Sequence, residues 1–369
     1  MVLKFLKPFE EIVEMISKIN EEIEKVHPKV VSRNYLSFVS GKISFSDLSY
    51  QIEKGLFFPN WDMLSRPRSN LRPLIFLTVI GGLDKEPKNY VKYASMLEMI
   101  HNGTLIHDDI EDSALIRRGD KPTYMKFGVD FAVNSANLLY FSPFLFFRKY
   151  PLDFTDKIKL EAYNCLIEHL NRVTWGQAVD IYWHNNEDIP SVNEYFQMCC
   201  YKTGAIDRMV LSLASIITEQ CNPKKEMLED FGEKLGILLQ IHDDFSDICS
   251  VDRGSIGNKT IGNDISEGKK SLVTILALNK LDSKDKEELL SLLKKKSHSK
   301  DLILRALSLI DKSYVFDEVI SIAKEKIKIL KSEAITIFNN KYSHILVEFF
   351  DEMLNDFLHK YEGYMRKRE

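Results

Sequence analysis

The sequence predicts an all-α protein, a large helical bundle with a helical N-terminal extension. Three observations carry that reading. From Leu71 onward, apolar residues recur at three- and four-residue intervals over stretches of helical length, while runs that alternate apolar and polar residues are short. Glycine and proline are sparse, 16 and 11 in 369 residues, and they gather between those stretches. The densest apolar run, NLLYFSPFLFF at 137–147, holds Pro143 and is too short for a membrane span, so it reads as a buried helix. With 44% apolar residues the chain can bury a large core.

Residues 9–26 place Ile12, Val13, Ile16, Ile19, Ile23 and Val26 at helical spacing. The polar face of that helix is mostly glutamate, which suits packing on the core or a partner subunit rather than on lipid. Residues 27–70 read as irregular, punctuated by Pro28, Gly41, Gly55, Pro59 and Pro67. Helices are expected at 71–82, 88–111, 129–141, 155–184, 191–219, 224–250, 266–279, 284–296, 301–311, 315–339 and 343–367. The extension is assigned to residues 1–65 and the helical domain to 66–369. No repeat of fixed period runs through either.

Composition excludes several classes of function. The formal net charge of −4 lacks the basic surface that nucleic acid requires. The lysine-rich segments at 284–300 and 323–333 read as mixed-charge, solvated helix faces. Five cysteines, at 165, 199, 200, 221 and 249, show no metal-type spacing and read as reduced thiols. The first residues lack a signal peptide's apolar centre and cleavage site and carry early acids, so the cytoplasm is the expected compartment, with no transmembrane segment.

Chemistry concentrates in two aspartate clusters about 130 residues apart. The first, LIHDDIEDSALIRRGD, carries Asp108, Asp109, Glu111 and Asp112, followed by Arg117 and Arg118; the second, LLQIHDDFSDI, carries Asp243, Asp244 and Asp247. Residues four apart share a helix face, so Asp108 with Asp112, and Asp243 with Asp247, each aim two carboxylates one way. Solvated acidic faces would read the same at four-residue spacing, but both clusters lie inside apolar runs, and solvated faces do not. Hard oxygen ligands that repel one another suit Mg²⁺, which is normally completed by substrate phosphate and water.

The two clusters resemble the aspartate-rich motifs of the trans-isoprenyl diphosphate synthases. The resemblance extends over residues 66–275: HNGTLIHDDIED with its paired arginines, WGQAVDIYW around Gln177 and Asp180, YKTG at Lys202 and Thr203, Gln240 ahead of the second cluster, and GNKTIGNDISEGKKS with Lys259, Asp264 and Lys269. Phrases such as NSANLLYF look most like eukaryotic geranylgeranyl diphosphate synthases. The resemblance implies a helical bundle around a central cavity, a homodimer, and Mg²⁺-dependent transfer of an allylic diphosphate's prenyl group to isopentenyl diphosphate. It implies three Mg²⁺ ions per site on Asp108, Asp109, Asp112, Asp243, Asp244 and Asp247. Arg117, Lys202, Lys259 and Lys269 then match the allylic-diphosphate contacts, and Thr203 with Gln240 would stabilise the allylic cation. Arg72, His101 and Arg118 match the isopentenyl diphosphate pocket.

One position departs from the family. Its usual GGKRLRP appears here as PRSNLRP, so Ser69 stands where a lysine would contact isopentenyl diphosphate, and Arg66, Arg68 or the basic C-terminal YMRKRE would have to compensate. That loss keeps one alternative open, a class I terpene synthase, which ionises and cyclises a prenyl diphosphate and needs no isopentenyl pocket; a second, a non-catalytic subunit of a heteromeric synthase, should have lost its metal ligands, and both clusters are intact. Product length is expected from Gly103 and Thr104, five and four residues before Asp108 and about 6–7.5 Å further along the helix. Neither is aromatic, so the tunnel is expected to stay open to a geranylgeranyl product, with Phe141 or Phe144 as its floor.

Overall fold

The computed structural model describes residues 4–41, 46–249 and 262–366. Among them there is no strand; the one β-type pairing is an isolated bridge between Arg117 and Asp120. The helices gather into two compact units, Phe9–Tyr163 and Asn164–Glu369.

The first unit runs α1 (Glu10–Ile16), α2 (Ile19–Val26), α3 (Arg33–Ser40), α4 (Ser49–Ile52), α5 (Phe58–Leu64), α6 (Leu71–Gly82), α7 (Val91–Glu111), α8 (Thr123–Phe127), α9 (Val129–Phe141) and α10 (Leu145–Lys149). At its centre lies α7, packed by α2, α6 and α9. Tyr93, Met96, Leu97, Met99, Ile100 and Ile106 bury nearly every face of α7. Burying one such side chain is worth about 1.5–3 kcal/mol, so α7 is held by its surroundings rather than by propensity. The single N-terminal helix expected at 9–26 is two, because Ser17 turns its hydroxyl back to the Glu14 carbonyl at the break, 2.6 Å away. Residues 27–70, expected to be irregular, hold α3 to α5. These are pieces of four to eight residues, too short for periodicity to reveal.

A buried histidine just after α2 ties that end of the chain to α5 and α9. His27 is fully buried; Asn60 donates to its Nε2 at 3.4 Å and to the Ser135 carbonyl at 3.0 Å, and Trp61 Nε1 donates to the His27 carbonyl at 3.0 Å.

The second unit takes in α11 (Asp156–Asn185) from Asn164, then α12 (Val192–Tyr201), α13 (Thr203–Ile217), α14 (Lys224–Cys249), α15 (Asn263–Glu267), α16 (Leu272–Lys280), α17 (Ser283–Lys294), α18 (Lys300–Lys312), α19 (Phe316–Ile337) and α20 (Lys341–Arg366). Here α14 is central, packed by α12, α13, α16, α19 and α20. Two expected helices are broken. The stretch 191–219 divides at Lys202, whose φ of −82° and ψ of −95° are not helical. The stretch 266–279 divides at Gly268, whose φ of 77° closes α15 in the left-handed conformation. No helix among the described residues is long and apolar enough to cross a membrane.

Burial lowers the His27 pKa to about 3, while the unfolded imidazole titrates near 6.5. Between those values the unfolded chain binds the proton that the folded one refuses. Stability is therefore full above about pH 6.5 and drains as pH falls toward 3. Urea denaturation at pH 7 and pH 5 should show His27→Gln losing roughly 2 kcal/mol less than the parent, about 1.4 kcal/mol per pH unit for the one proton removed.

Candidate active site

The C-terminal end of α7 presents Asp108, Asp109 and Asp112, the last at its C-cap with its N–H bonded to the Asp108 carbonyl at 2.9 Å. Arg117 returns from the following loop and places Nε 2.6 Å from Asp109 Oδ1 and Nη2 3.3 Å from Asp108 Oδ2. Asp109 is 1% exposed, and its other oxygen is buried with no hydrogen-bond partner among the described residues. Burial raises its pKa to about 6 despite Arg117. A carboxylate so placed is short of positive charge.

That loop is fixed from below. Arg66 donates to the carbonyls of Arg117 at 2.9 Å and Lys121 at 2.8 Å. Arg117 and Asp120 pair main chain to main chain across Arg118 and Gly119, whose φ values of 53° and 79° make a tight two-residue turn. The turn sends Arg118 to Asn102 Oδ1, 2.8 Å away. Asn102 donates to Glu98 Oε1 at 2.8 Å, and Arg68 Nε lies 2.9 Å from the same oxygen. Glu98 is 1% exposed. One buried carboxylate thus orients two arginines, a network absent from the sequence reading. Its sequence signal was two polar residues, Glu98 and Asn102, four apart and so on one face of α7. Arg72 Nη1 approaches the His101 ring nitrogens at 3.1 and 3.3 Å. Burial, with Arg72, Arg118, Arg117 and Arg68 around it, keeps His101 neutral. Four arginines beside a neutral histidine and one carboxylate make a pocket suited to a multiply charged anion. Ser69 is exposed, and Arg66 is committed to the loop; Arg68 meets Glu98 through Nε, while its Nη1 donates to the Leu64 carbonyl and its Nη2 to Asn20 Oδ1.

In the second unit, Asp243, Asp244 and Asp247 lie in the last two turns of α14. Asp244 accepts from Tyr195 Oη at 2.7 Å, the Leu272 N–H at 3.0 Å and Gln240 Nε2 at 2.8 Å. Burial still raises its pKa, with Asp243 adding to the effect. Asp247 accepts the Asp264 N–H at 3.0 Å. Burial and the neighbouring Asp247 drive Asp264 well above the carboxylate range, against Lys269. Lys269 lies 2.8 Å from Glu267 and 4.0 Å from Asp264. Among the described residues no three acidic, imidazole or thiol groups converge into a closed metal cage. The donors fit Mg²⁺ nonetheless, since they are hard, mutually repelling oxygens, with Asp109, Asp112 and Asp244 buried, Asp108 and Asp247 half-buried and Asp243 exposed, and Mg²⁺ takes one or two protein carboxylates beside phosphate and water.

Lys202 and Thr203 sit at the break between α12 and α13. Two glycines make that break possible. A Cβ on Gly176 of α11 would lie 2.3 Å from the Lys202 nitrogen, and one on Gly236 of α14 would lie 2.7 Å from the Thr203 carbonyl. Lys202 Nζ reaches Asp180 Oδ2 at 2.6 Å. Burial alone would raise the Asp180 pKa, but Lys202 and Lys269 hold it low. The Thr203 hydroxyl donates to Gln240 Oε1, leaving its lone pairs for a cation. Lys259 lies outside the described residues.

The chain-length positions divide. Gly103 faces α9: a Cβ there would lie 3.1 Å from Tyr140 Cε1 and 3.2 Å from the Ala136 carbonyl. Its small size lets α7 and α9 pack. Thr104 is half-buried, with Oγ1 donating to the His101 carbonyl at 2.8 Å. Phe141 is 67% exposed, so within its own chain it is not a buried floor.

A family model described as polyprenyl synthetase matches residues 59–310. A geranylgeranyl pyrophosphate synthase of Dictyostelium discoideum is 32% identical over 248 residues, covering 67% of this chain and 74% of that protein. A geranylgeranyl diphosphate synthase of Sulfolobus acidocaldarius is 29% identical over 274 residues, 74% and 82% of the two chains. The crystal structure of geranylgeranyl pyrophosphate synthetase from Pyrococcus horikoshii matches with a TM-score of 0.74 at 24% identity, over 94% of this chain and 99% of that one. Polyprenyl synthase from Caulobacter crescentus, complexed with calcium and isoprenyl diphosphate, matches with a TM-score of 0.76 at 19% identity, over 95% and 97%. The chain belongs to the polyprenyl synthetase family and has the all-helical fold of these structures. It is a trans-prenyltransferase.

Gly176→Ala should push Lys202 and Thr203 out of place. Backbone overlap of this kind costs about 3 kcal/mol, and an ångström of misplacement costs roughly a hundredfold in turnover. Gly363→Ala meets nothing within 4 Å and should leave activity unchanged. Melting curves and steady-state rates on the two variants check both statements.

Proposed function

We propose that the enzyme condenses isopentenyl diphosphate with an allylic diphosphate, releases inorganic diphosphate, and makes geranylgeranyl diphosphate as its main product. The observation that carries this is the separation of two kinds of anion site. Two clusters of close, partly buried carboxylates suit a diphosphate bridged by metal. The pocket of Arg68, Arg72, His101 and Arg118 suits one bound without metal. A terpene synthase would have no use for the second, and a catalytically silent subunit would have no use for the first.

Asp108, Asp109, Asp112, Asp243, Asp244 and Asp247 would hold Mg²⁺, three ions per site by family resemblance. The metal, when bound, neutralises charge that develops on the departing diphosphate. Arg117, Lys202, Lys259 and Lys269 would bind that diphosphate's oxygens. Thr203 and Gln240 would face the allylic cation with oxygen lone pairs, one step from the metal. Arg72, His101, Arg118 and Arg68 would fix isopentenyl diphosphate so that its alkene attacks. Bond formation leaves a cation on the isopentenyl unit, and the released diphosphate would take the proton lost from the carbon beside it, so no protein base is required.

A homodimer is part of this reading. Ile167, Trp175 and Tyr182 of α11 are each more than half exposed and repeat at seven- and eight-residue spacing, one stripe along the helix. A second copy would cover it. The compartment proposed is the cytoplasm.

Purified enzyme with Mg²⁺ and farnesyl diphosphate should yield a longer prenyl diphosphate only when isopentenyl diphosphate is present. Hydrocarbon formed without it would move the assignment to a lyase. Asp108→Ala and Asp243→Ala should lower turnover about a thousandfold in folded protein, the several kcal/mol of leaving-group stabilisation that metal supplies. A folded variant with near-normal turnover would remove the metal assignment.

Product length is proposed to be set along the α7 face at Thr104 and Ile100. Thr104→Phe should shift the product to farnesyl diphosphate or shorter with catalysis retained. An unchanged product distribution by reversed-phase chromatography of the dephosphorylated alcohols would overturn that role.

A further inference from the structure

The second aspartate cluster is gripped on two flanks, and only one of them belongs to the motif region. An α-helix turns about 100° per residue, which orders the side chains of α14 around its axis. The face of Asp243 and Asp247 lies between that of Gln240 and Asp244 and that of His242 and Ser246. Tyr195, the Leu272 N–H and Gln240 hold Asp244 on the first flank.

The C-terminal helix holds the other. His242 Nε2 lies 2.7 Å from Asp356 Oδ2, and Phe357 meets the imidazole edge-on at 5.0 Å between centroids. Lys360 Nζ donates to Ser246 Oγ at 2.7 Å and also to Asp356. His242 is 8% exposed, and the Asp356 and Lys360 side chains 15% and 18%. The partner helix is itself anchored. Tyr364 Oη donates to the buried Asp311 at 2.7 Å, and Phe316 packs against Tyr361 and Tyr364. A buried imidazole in contact with a half-buried acid, ammonium and hydroxyl fixes orientation, because each loses a partner if another turns away.

We infer that Asp356 and Lys360 are positioning residues for the second aspartate cluster: by holding His242 and Ser246 they set the rotation of α14 at which Asp243 and Asp247 meet Mg²⁺ and a diphosphate. The inference rests on the metal reading above and extends it to the C-terminal helix, more than a hundred residues further along the chain. Neither residue touches a reacting group. Removing groups that orient metal ligands typically costs 10–100-fold in metal affinity, and these act through the helix, which places them at the lower end.

The test needs no turnover. Thermal melting of the full chain is followed while Mg²⁺ is titrated at a fixed concentration of inorganic diphosphate. Asp356→Asn and Lys360→Met should require roughly 10-fold more Mg²⁺ than the parent to reach half of the stabilisation. Asp356→Glu should recover much of the loss. In steady-state assays the Mg²⁺ requirement should rise while the Michaelis constant for isopentenyl diphosphate stays fixed, a split that general loosening of the fold would not give. Variants with the parent's Mg²⁺ midpoint would overturn the inference, whatever their melting temperature without ligand. Should Asp356→Asn fail to fold, Ser246→Ala removes a single contact to Lys360, and an unchanged midpoint there overturns it equally. A parent protein that shows no Mg²⁺-dependent shift would overturn the metal reading itself, an outcome distinct from parent and variants shifting alike.

Discussion

Like-charge repulsion between carboxylates is the term around which both units are arranged. Asp108, Asp109 and Asp112 close α7, and Asp243, Asp244 and Asp247 occupy the last turns of α14. The C-terminal end of a helix already carries partial negative charge, so acids there are disfavoured, by roughly 0.3–1 kcal/mol each at an exposed end. Burial compounds the cost at Asp109 and Asp244. The protein answers with fixed donors and a few cations, yet Asp109 keeps one oxygen without a hydrogen-bond partner among the described residues. The remainder is a standing demand for positive charge, and ions that arrive with a diphosphate are suited to meet it.

Holding such groups in place requires helices that cannot rotate. Both central helices are buried on most faces, and α13 runs against α14 with almost no side chain between them. Gly232 and Gly236 allow that approach; a Cβ at either would come within 3 Å of the neighbouring main chain. The same closeness breaks the chain at Lys202 and turns Lys202 and Thr203 toward Asp180 and Gln240. Packing and chemistry are one arrangement here: the contact that stabilises the unit also orients the residues assigned to the allylic diphosphate.

Much of this was legible in the residues. The helices at 71–82, 129–141 and 224–250 appear within a residue of their expected limits, because long apolar periodicity registers burial directly. The break at Lys202 was not legible, since nothing in CCYKTG interrupts a helical pattern; it is imposed by glycines of α11 and α14, distant in sequence. The short helices α3 to α5 were hidden for want of length. In the site, pairing at four-residue spacing could be read from the chain, whereas the Glu98 network joins residues up to 50 apart that only folding brings together. Spacing fixes which residues share a face, but not which neighbour that face meets.

The turn at Arg118 bears on how the sequence can drift. An arginine at a φ of 53° occupies a conformation that glycine and asparagine adopt far more readily. Random substitution followed by selection for thermal tolerance alone would therefore favour leaving arginine at this position. Its side chain reaches Asn102 beside Arg68 and Arg72, where a neutral replacement would forfeit a charge-assisted contact. Two selections pull in opposite directions on one codon. Position 118 is a place where a library sorted for stability and one sorted for activity should diverge, a signature that the buried helices on either side would not give.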